Sequence, residues 1–244
     1  MNDYVRIEIL FDDLVFSIKE MILNNYRKIN LKKTTKILQR LIKKTNEITN
    51  FDNENDKVVV SFNESLNEII SSLKSDLISF YESDPAATDL KEIVLTYPGY
   101  YTIIVYRLAH LLNNMNVKYL PRMLSEYAHS KTGIDIHPKA NIGNYFFIDH
   151  GTGIVIGETT VIGHHVKIYQ NVTLGASSLE KGQKLKGIKR HPTIGNNVTI
   201  YAGASILGGN TVIGDNVIIG CNTIITKSIL EQNVVKNYNN TLTK

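Results

Sequence analysis

Aliphatic residues recur every six positions through the second half of this chain, a spacing that neither a helix nor a lone strand can use. Ile136, Ile142, Ile148 and Ile154 are six apart, and a two-residue shift leads to Ile156, Ile162, Ile168 and Leu174. After an irregular stretch the count resumes at Ile194, Ile200 and Ile206, and a seven-residue step reaches Ile213, Ile219 and Ile225. Four residues after the aliphatic stands a small or β-branched residue, as at Ala140, Thr152, Val166, Val172, Val198, Ala204, Val217 and Thr223. A helix repeats at 3.6 residues and a strand alternates at 2, so a period of six needs a coil with flat sides. A parallel β-helix of triangular section satisfies it: each hexad is one side, three hexads close a turn, and the aliphatics stack inward.

The first half follows a different rule. Ile7, Leu10, Leu14, Phe16 and Ile18 recur at three- and four-residue steps, as do Leu31, Ile37, Leu38, Leu41 and Ile42, and Ser65–Tyr81 resumes the pattern after the polar run 50–56. Asp84-Pro85 interrupts, because the residue before proline is pushed out of helical geometry. Tyr97-Pro98-Gly99 and Leu120-Pro121-Arg122 each open a further helix, the second ending near Gly133. The reading is α+β: a helical domain over 1–132, a β-helix over 133–230 with an extruded loop near 176–193, and a mobile tail over 231–244. Of the 244 residues 43% are hydrophobic and 20% charged, and the net charge is only +4, which excludes a disordered chain and a strongly basic nucleic-acid binder. No apolar run approaches a membrane span, no leader is visible at Met1-Asn2-Asp3-Tyr4, and the lone Cys221 cannot form an internal disulfide. A cytoplasmic protein with no membrane and no nucleic-acid partner is expected.

The places where the repeat is interrupted carry the chemistry. Asp135-Ile136-His137-Pro138, Asp149-His150-Gly151-Thr152-Gly153, Gly157-Glu158-Thr159, Val172-Thr173-Leu174-Gly175 and Lys189-Arg190-His191-Pro192 follow one another along the coil. Asp84-Pro85-Ala86 and Tyr106-Arg107-Leu108-Ala109-His110 precede them in the helical half. In that order they resemble the serine O-acetyltransferases among the hexapeptide-repeat acyltransferases. The resemblance is close from about 75 to 228 and extends to the first 75 residues only in helical character. It implies a left-handed β-helix and transfer of acetyl from acetyl-CoA to the L-serine hydroxyl, giving the precursor of cysteine.

That reaction needs a base for a hydroxyl far too weakly acidic to attack a thioester unaided, and histidine suits neutral pH. The resemblance assigns this role to His150, with Asp135 as the carboxylate that fixes its tautomer. It assigns Asp84 and Asp149 to the serine ammonium, Arg190 to the carboxylate through its planar fork, and His191 to the reacting hydroxyl. Gly175, Ala176 and Ala202 match small positions where the CoA chain approaches the backbone, although many relatives have glycine in place of Ala176. The loop 176–191 carries Lys181, Lys184, Lys186, Lys189 and Arg190 against Glu180, a charge that either attracts the CoA phosphates or is simply solvated. No metal is expected.

Two other activities share such a coil. One is acetylation of a sugar or an antibiotic, which does not require the Asp84 and Arg190-His191 motifs. The other is a γ-type carbonic anhydrase, for which His150, His164 and His165 lack that family's ligand spacing. The resemblance further implies a homotrimer, joined as a dimer of trimers by the helical half, and feedback inhibition by L-cysteine. Relatives that bind O-acetylserine sulfhydrylase insert a tail ending in isoleucine. This chain ends in Thr243-Lys244, so no tight complex with that enzyme is expected.

Overall fold

The computed structural model describes residues 3–24, 28–231 and 233–235. Six helices come first: α1 (Asp3–Leu23), α2 (Lys28–Thr49), α3 (Asn55–Ser83), α4 (Leu90–Thr96), α5 (Pro98–Asn114) and α6 (Leu120–Thr132). No helix among the described residues is long and apolar enough to cross a membrane. Their ends follow local chemistry. Helix α3 stops at Ser83 because Asp84 is extended ahead of Pro85. Helix α4 is capped by Asp89, whose Oδ1 accepts from the Glu92 amide at 2.8 Å. Helix α6 ends on Gly133 at φ 69°, where a side chain would be strained. Ile7, Leu14 and Ile18 are buried as their spacing requires. Phe16, counted with them by the periodicity, lies only two residues from each of Leu14 and Ile18 and so falls on another face, where it meets solvent under the Lys33 ammonium.

The remainder winds into a parallel β-helix with three faces. The first face holds β1 (Asp135–Ile136), β4 (Val155–Ile156), β7 (Thr173–Gly175), β10 (Ser205–Leu207) and β13 (Ile224–Ile225). The second holds β2 (Asn141–Ile142), β5 (Val161–Ile162), β8 (Thr193–Ile194) and β11 (Val212–Ile213). The third holds β3 (Phe147–Ile148), β6 (Lys167–Ile168), β9 (Thr199–Ile200), β12 (Ile218–Ile219) and β14 (Val234–Val235). The inward stack runs in register from Ile136 to Ile156, Leu174, Ile206 and Ile225. Burying each such side chain contributes about 1.5–3 kcal/mol, so every coil adds its own increment of stability.

The register differs from a simple count in one place. Ile154 keeps six residues from Ile148 but forms no strand; it fills the corner position held in later coils by Val172, Ala204 and Thr223. The two extra residues lie between Ile148 and Ile154, so Ile154 takes the place the periodicity gave to Thr152, and Thr152 is exposed. A second difference lies at the C-terminal end. Strand β14 pairs Val234 with Ile218 and Val235 with Ile219, so the coil runs past residue 230, where a mobile tail was expected to begin. Two valines suffice to add one more rung to the third face. Lys244 and the rest of the tail from 236 lie outside the described residues.

The helices and the coil share one core. Phe147 points outward from the third face yet is buried, because Phe80 of α3 packs edge-on against it at 4.9 Å. Beneath them Arg107 of α5 grips Asp76 of α3, and its Nη2 also donates to Gly143 O at 2.8 Å. Asp76 in turn accepts from the Phe146 amide at 3.0 Å. Tyr106 donates to Ala140 O at 2.7 Å. This polar seam fixes where α3 ends relative to the first coil, and so where Asp84 stands.

Candidate active site

Corners join the faces, and two of them carry the expected site residues. The third corner links the third face back to the first, and in the first coil it holds the two-residue insert. There His150 has φ 55° and Gly151 φ 87°. The same left-handed backbone recurs in this corner at Asn171 and Asn222, so it belongs to the turn of the coil, here carried by a histidine. A Cβ on Gly151 would lie 2.5 Å from Ile134 Cδ1, so the turn admits only glycine there. The insert pushes His150 outward until its side chain is 72% exposed, with Nε2 3.8 Å from Asp149 Oδ1.

Asp84 comes to the same corner from the end of α3. Its Oδ2 accepts from the Tyr97 hydroxyl at 2.6 Å and its Oδ1 from the Ala86 amide at 2.8 Å. These bonds, with His150 nearby, hold its carboxyl below the usual carboxylate range. The bond to Asp84 pushes the Tyr97 hydroxyl up to about 12, helped by Glu92 and Asp149. Asp84, Asp149 and His150 therefore gather at one corner from both halves of the chain. Tyr169 and Tyr201 stack below them, with centroids 5.1 Å apart. Two carboxylates beside an exposed imidazole suit a cationic group and stabilise the imidazolium that a base becomes.

Arg190 and His191 lie elsewhere, at the first corner, which links the first face to the second and from which the loop 176–192 leaves the coil. Arg190 Nη2 is bonded to the Glu158 carboxylate, which also accepts from Lys139 Nζ at 2.9 Å. Burial alone would raise the Glu158 carboxyl, but these two cations outweigh it and pull it down to about 2. His191 is buried, and burial together with the Arg190 charge lowers its imidazole to about 4. His137 is lowered to about 4 by burial and by Arg122. Gly175 and Ala176 stand at the root of the loop, while Ala202 belongs to the third corner beside Tyr201. Lys181, Lys184 and Lys186 lie along the exposed loop around a short 3-10 turn, Gly182–Leu185.

Within one chain the expected residues thus form two half-sites on opposite edges of the first face. Asp135 faces neither: its carboxylate lies within 4.8 Å of ligand atoms of Glu126 and His129, and among the described residues no hydrogen bond or ion pair joins it to His150. That trio is the one acidic and histidine cluster with metal-like proximity among the described residues, and it excludes His150, His164 and His165. His164 instead accepts from the Asn144 amide at 3.1 Å, and His165 stacks on Tyr145 at 4.3 Å. Tyr97, Glu158 and Thr159 carry site contacts to which the sequence gives no role, because their partners lie 13 to 32 residues away in the chain.

No family model matches the chain. It is 53% identical over 146 residues to a plasmid serine acetyltransferase of Synechococcus elongatus, covering 59% of this chain and 46% of that one. Among solved structures it matches serine acetyltransferase isoform 3 of Entamoeba histolytica in complex with cysteine. That match has 40% identity and a TM-score of 0.81, covering 92% of this chain and 81% of that one. The chain belongs to the serine acetyltransferase family. The family resemblance read from the motifs holds, and so does the fold: an N-terminal helical half followed by a left-handed parallel β-helix. A Brucella abortus serine acetyltransferase in complex with coenzyme A is also similar, at 33% identity and a TM-score of 0.67, covering 75% of this chain and 70% of that one. The chain spans about half the length of the curated Synechococcus and Synechocystis relatives it matches.

Proposed function

We propose that the chain transfers the acetyl group of acetyl-CoA to the hydroxyl of L-serine, releasing O-acetyl-L-serine and free CoA. His150 takes the hydroxyl proton as the oxygen attacks the thioester carbonyl, and returns it to the departing thiolate. Asp84 and Asp149 receive the serine ammonium, and the carboxylate of serine meets Arg190. The observation that carries this reading is the meeting of Asp84, from the helical half, with Asp149 and the exposed His150 at one corner.

The separation of the two half-sites supports a shared site. Three copies around a threefold axis bring the third corner of one against the first corner of the next, so that each interface unites His150 with Arg190 and His191. Such a head-to-tail contact closes into a ring, and the helical half then joins two rings. The groove between neighbours suits the CoA chain, with Gly175 and Ala176 on one wall and Ala202 on the other. The loop lysines stand where phosphates approach.

L-cysteine, which differs from serine in one atom, binds the same contacts and inhibits in competition with serine. Two E. histolytica serine acetyltransferases similar to this chain, isoform 3 and serine acetyltransferase 1, have crystal structures in complex with cysteine. Thiol release from acetyl-CoA tests the proposal, with L-serine compared against L-threonine, L-homoserine and a simple sugar. Turnover with L-serine at least tenfold above the others is expected; preference for the sugar overturns it.

A further inference from the structure

The root of the extruded loop is held by one threonine. Thr159 Oγ1 accepts from the Arg190 amide at 2.9 Å and from the His191 amide at 3.0 Å, and it lies 2.9 Å from His191 Nδ1. A hydroxyl has one proton and two acceptor lone pairs. Both lone pairs are taken by the two amides, so the proton is left for Nδ1. The Thr159 amide also donates to Nδ1, at 3.1 Å. With two donors aimed at it, Nδ1 has no room for a proton of its own.

The remaining neighbours agree. Arg190, Glu158 and Lys189 are the charged groups that face this imidazole. Lys189 Nζ donates to Thr159 O at 2.7 Å, to Pro192 O at 3.0 Å and to His191 O, which binds the loop root to the Gly157-Glu158-Thr159 corner. Gly157 lies flat against the edge of the ring that carries Nε2. Nε2 itself has no hydrogen-bond partner among the described residues.

We infer that Thr159 is a positioning residue that keeps the His191 proton on Nε2, so that His191 serves the site as a hydrogen-bond donor and not as a second base. The donor role rests on the acetyltransferase reading above, whereas the tautomer does not. In the reaction a fixed N–H at Nε2 is matched to an oxygen that gains negative charge, such as the thioester carbonyl under attack. His150, which has no comparable clamp among the described residues, is left as the group that exchanges protons.

The test is 15N NMR of the full-length protein with labelled histidine, His191→Asn serving to assign the signal. Wild type should show a bare Nδ1 and a protonated Nε2 between pH 6 and 8. In Thr159→Val the hydroxyl donor is lost while the amide donor remains, and the signal should move part of the way toward a mixture of tautomers. Thr159→Ser keeps the hydroxyl and should restore the wild-type pattern. In thiol-release assays Thr159→Val should lower kcat/KM for serine, by up to about 10²-fold if the imidazole is misplaced by 1 Å. Thr159→Ser should recover most of it. A wild-type His191 protonated on Nδ1, or a Thr159→Val protein with unchanged tautomer, overturns the inference whatever the substrate proves to be.

Discussion

Gly157 offers a sharp test of how tightly the first corner holds His191. A Cβ built on it would lie 2.1 Å from His191 Cδ2 and 2.2 Å from Nε2, against an ordinary contact distance of 3.4 Å or more. In Gly157→Ala the ring must therefore retreat by more than 1 Å. It cannot swing aside freely, because it is buried and Nδ1 is held by both the amide and the hydroxyl of Thr159. The φ of Gly157 is not positive, so alanine brings no backbone strain of its own. Overpacking of this size costs about 1–3 kcal/mol, and a chain of this length loses roughly 2–4 °C in Tm for each kcal/mol. Catalysis should suffer more than stability, since misplacing a site group by 1 Å can cost about 10²-fold. The assay is thiol release from acetyl-CoA with L-serine, alongside a thermal melt. A folded Gly157→Ala protein with kcat/KM for serine within about twofold of wild type would refute this picture of the corner.

Three further outcomes follow from named contacts. Tyr97→Phe removes the 2.6 Å donor that holds the Asp84 carboxyl low, so Asp84 should protonate at a higher pH; the acid limb of kcat/KM for serine should move upward, and an unmoved limb contradicts the role. Arg107→Met leaves the Asp76 carboxylate buried without its cation and should cost about 3–5 kcal/mol in chemical denaturation, a loss under 1 kcal/mol being inconsistent with the seam described. Asp135→Asn, at a carboxylate that sits by Glu126 and His129, should reduce turnover less than His150→Ala, measured in the same assay.

The coil was legible because every turn imposes the same demand: an aliphatic each six residues, visible without knowing what it packs against. The same regularity hid the insert, since Ile154 happens to stand six residues from Ile148 while occupying a corner. Strand β14 was hidden because two valines in an asparagine-rich stretch make no period. His150, Asp149 and Asp84 were readable from motifs, but their meeting depends on the Asp76–Arg107 seam, which joins residues 31 apart and leaves no local pattern. Glu158 and Thr159 were quoted as part of a motif without a role. Their partners return only at the end of an extruded loop, so nothing next to them in sequence reveals the contact. Asp135 was read as the partner of His150 by resemblance, whereas the single chain places it beside α6.

Serine acetylation at a site shared between subunits is tested most directly by subunit mixing. His150→Ala alone should lose about 10²–10⁴-fold in turnover, as expected for a positioned base, and Arg190→Ala should lose its affinity for serine. Each variant damages a different corner. When the two are unfolded together and refolded, an interface pairing the intact His150 corner of one variant with the intact Arg190 corner of the other regains a complete site. With random assembly into closed rings, roughly a quarter of the interfaces should be wild type, so thiol release with serine should recover to about a quarter of the wild-type rate. A mixture no more active than either parent, with trimers shown to have exchanged, would contradict the shared site.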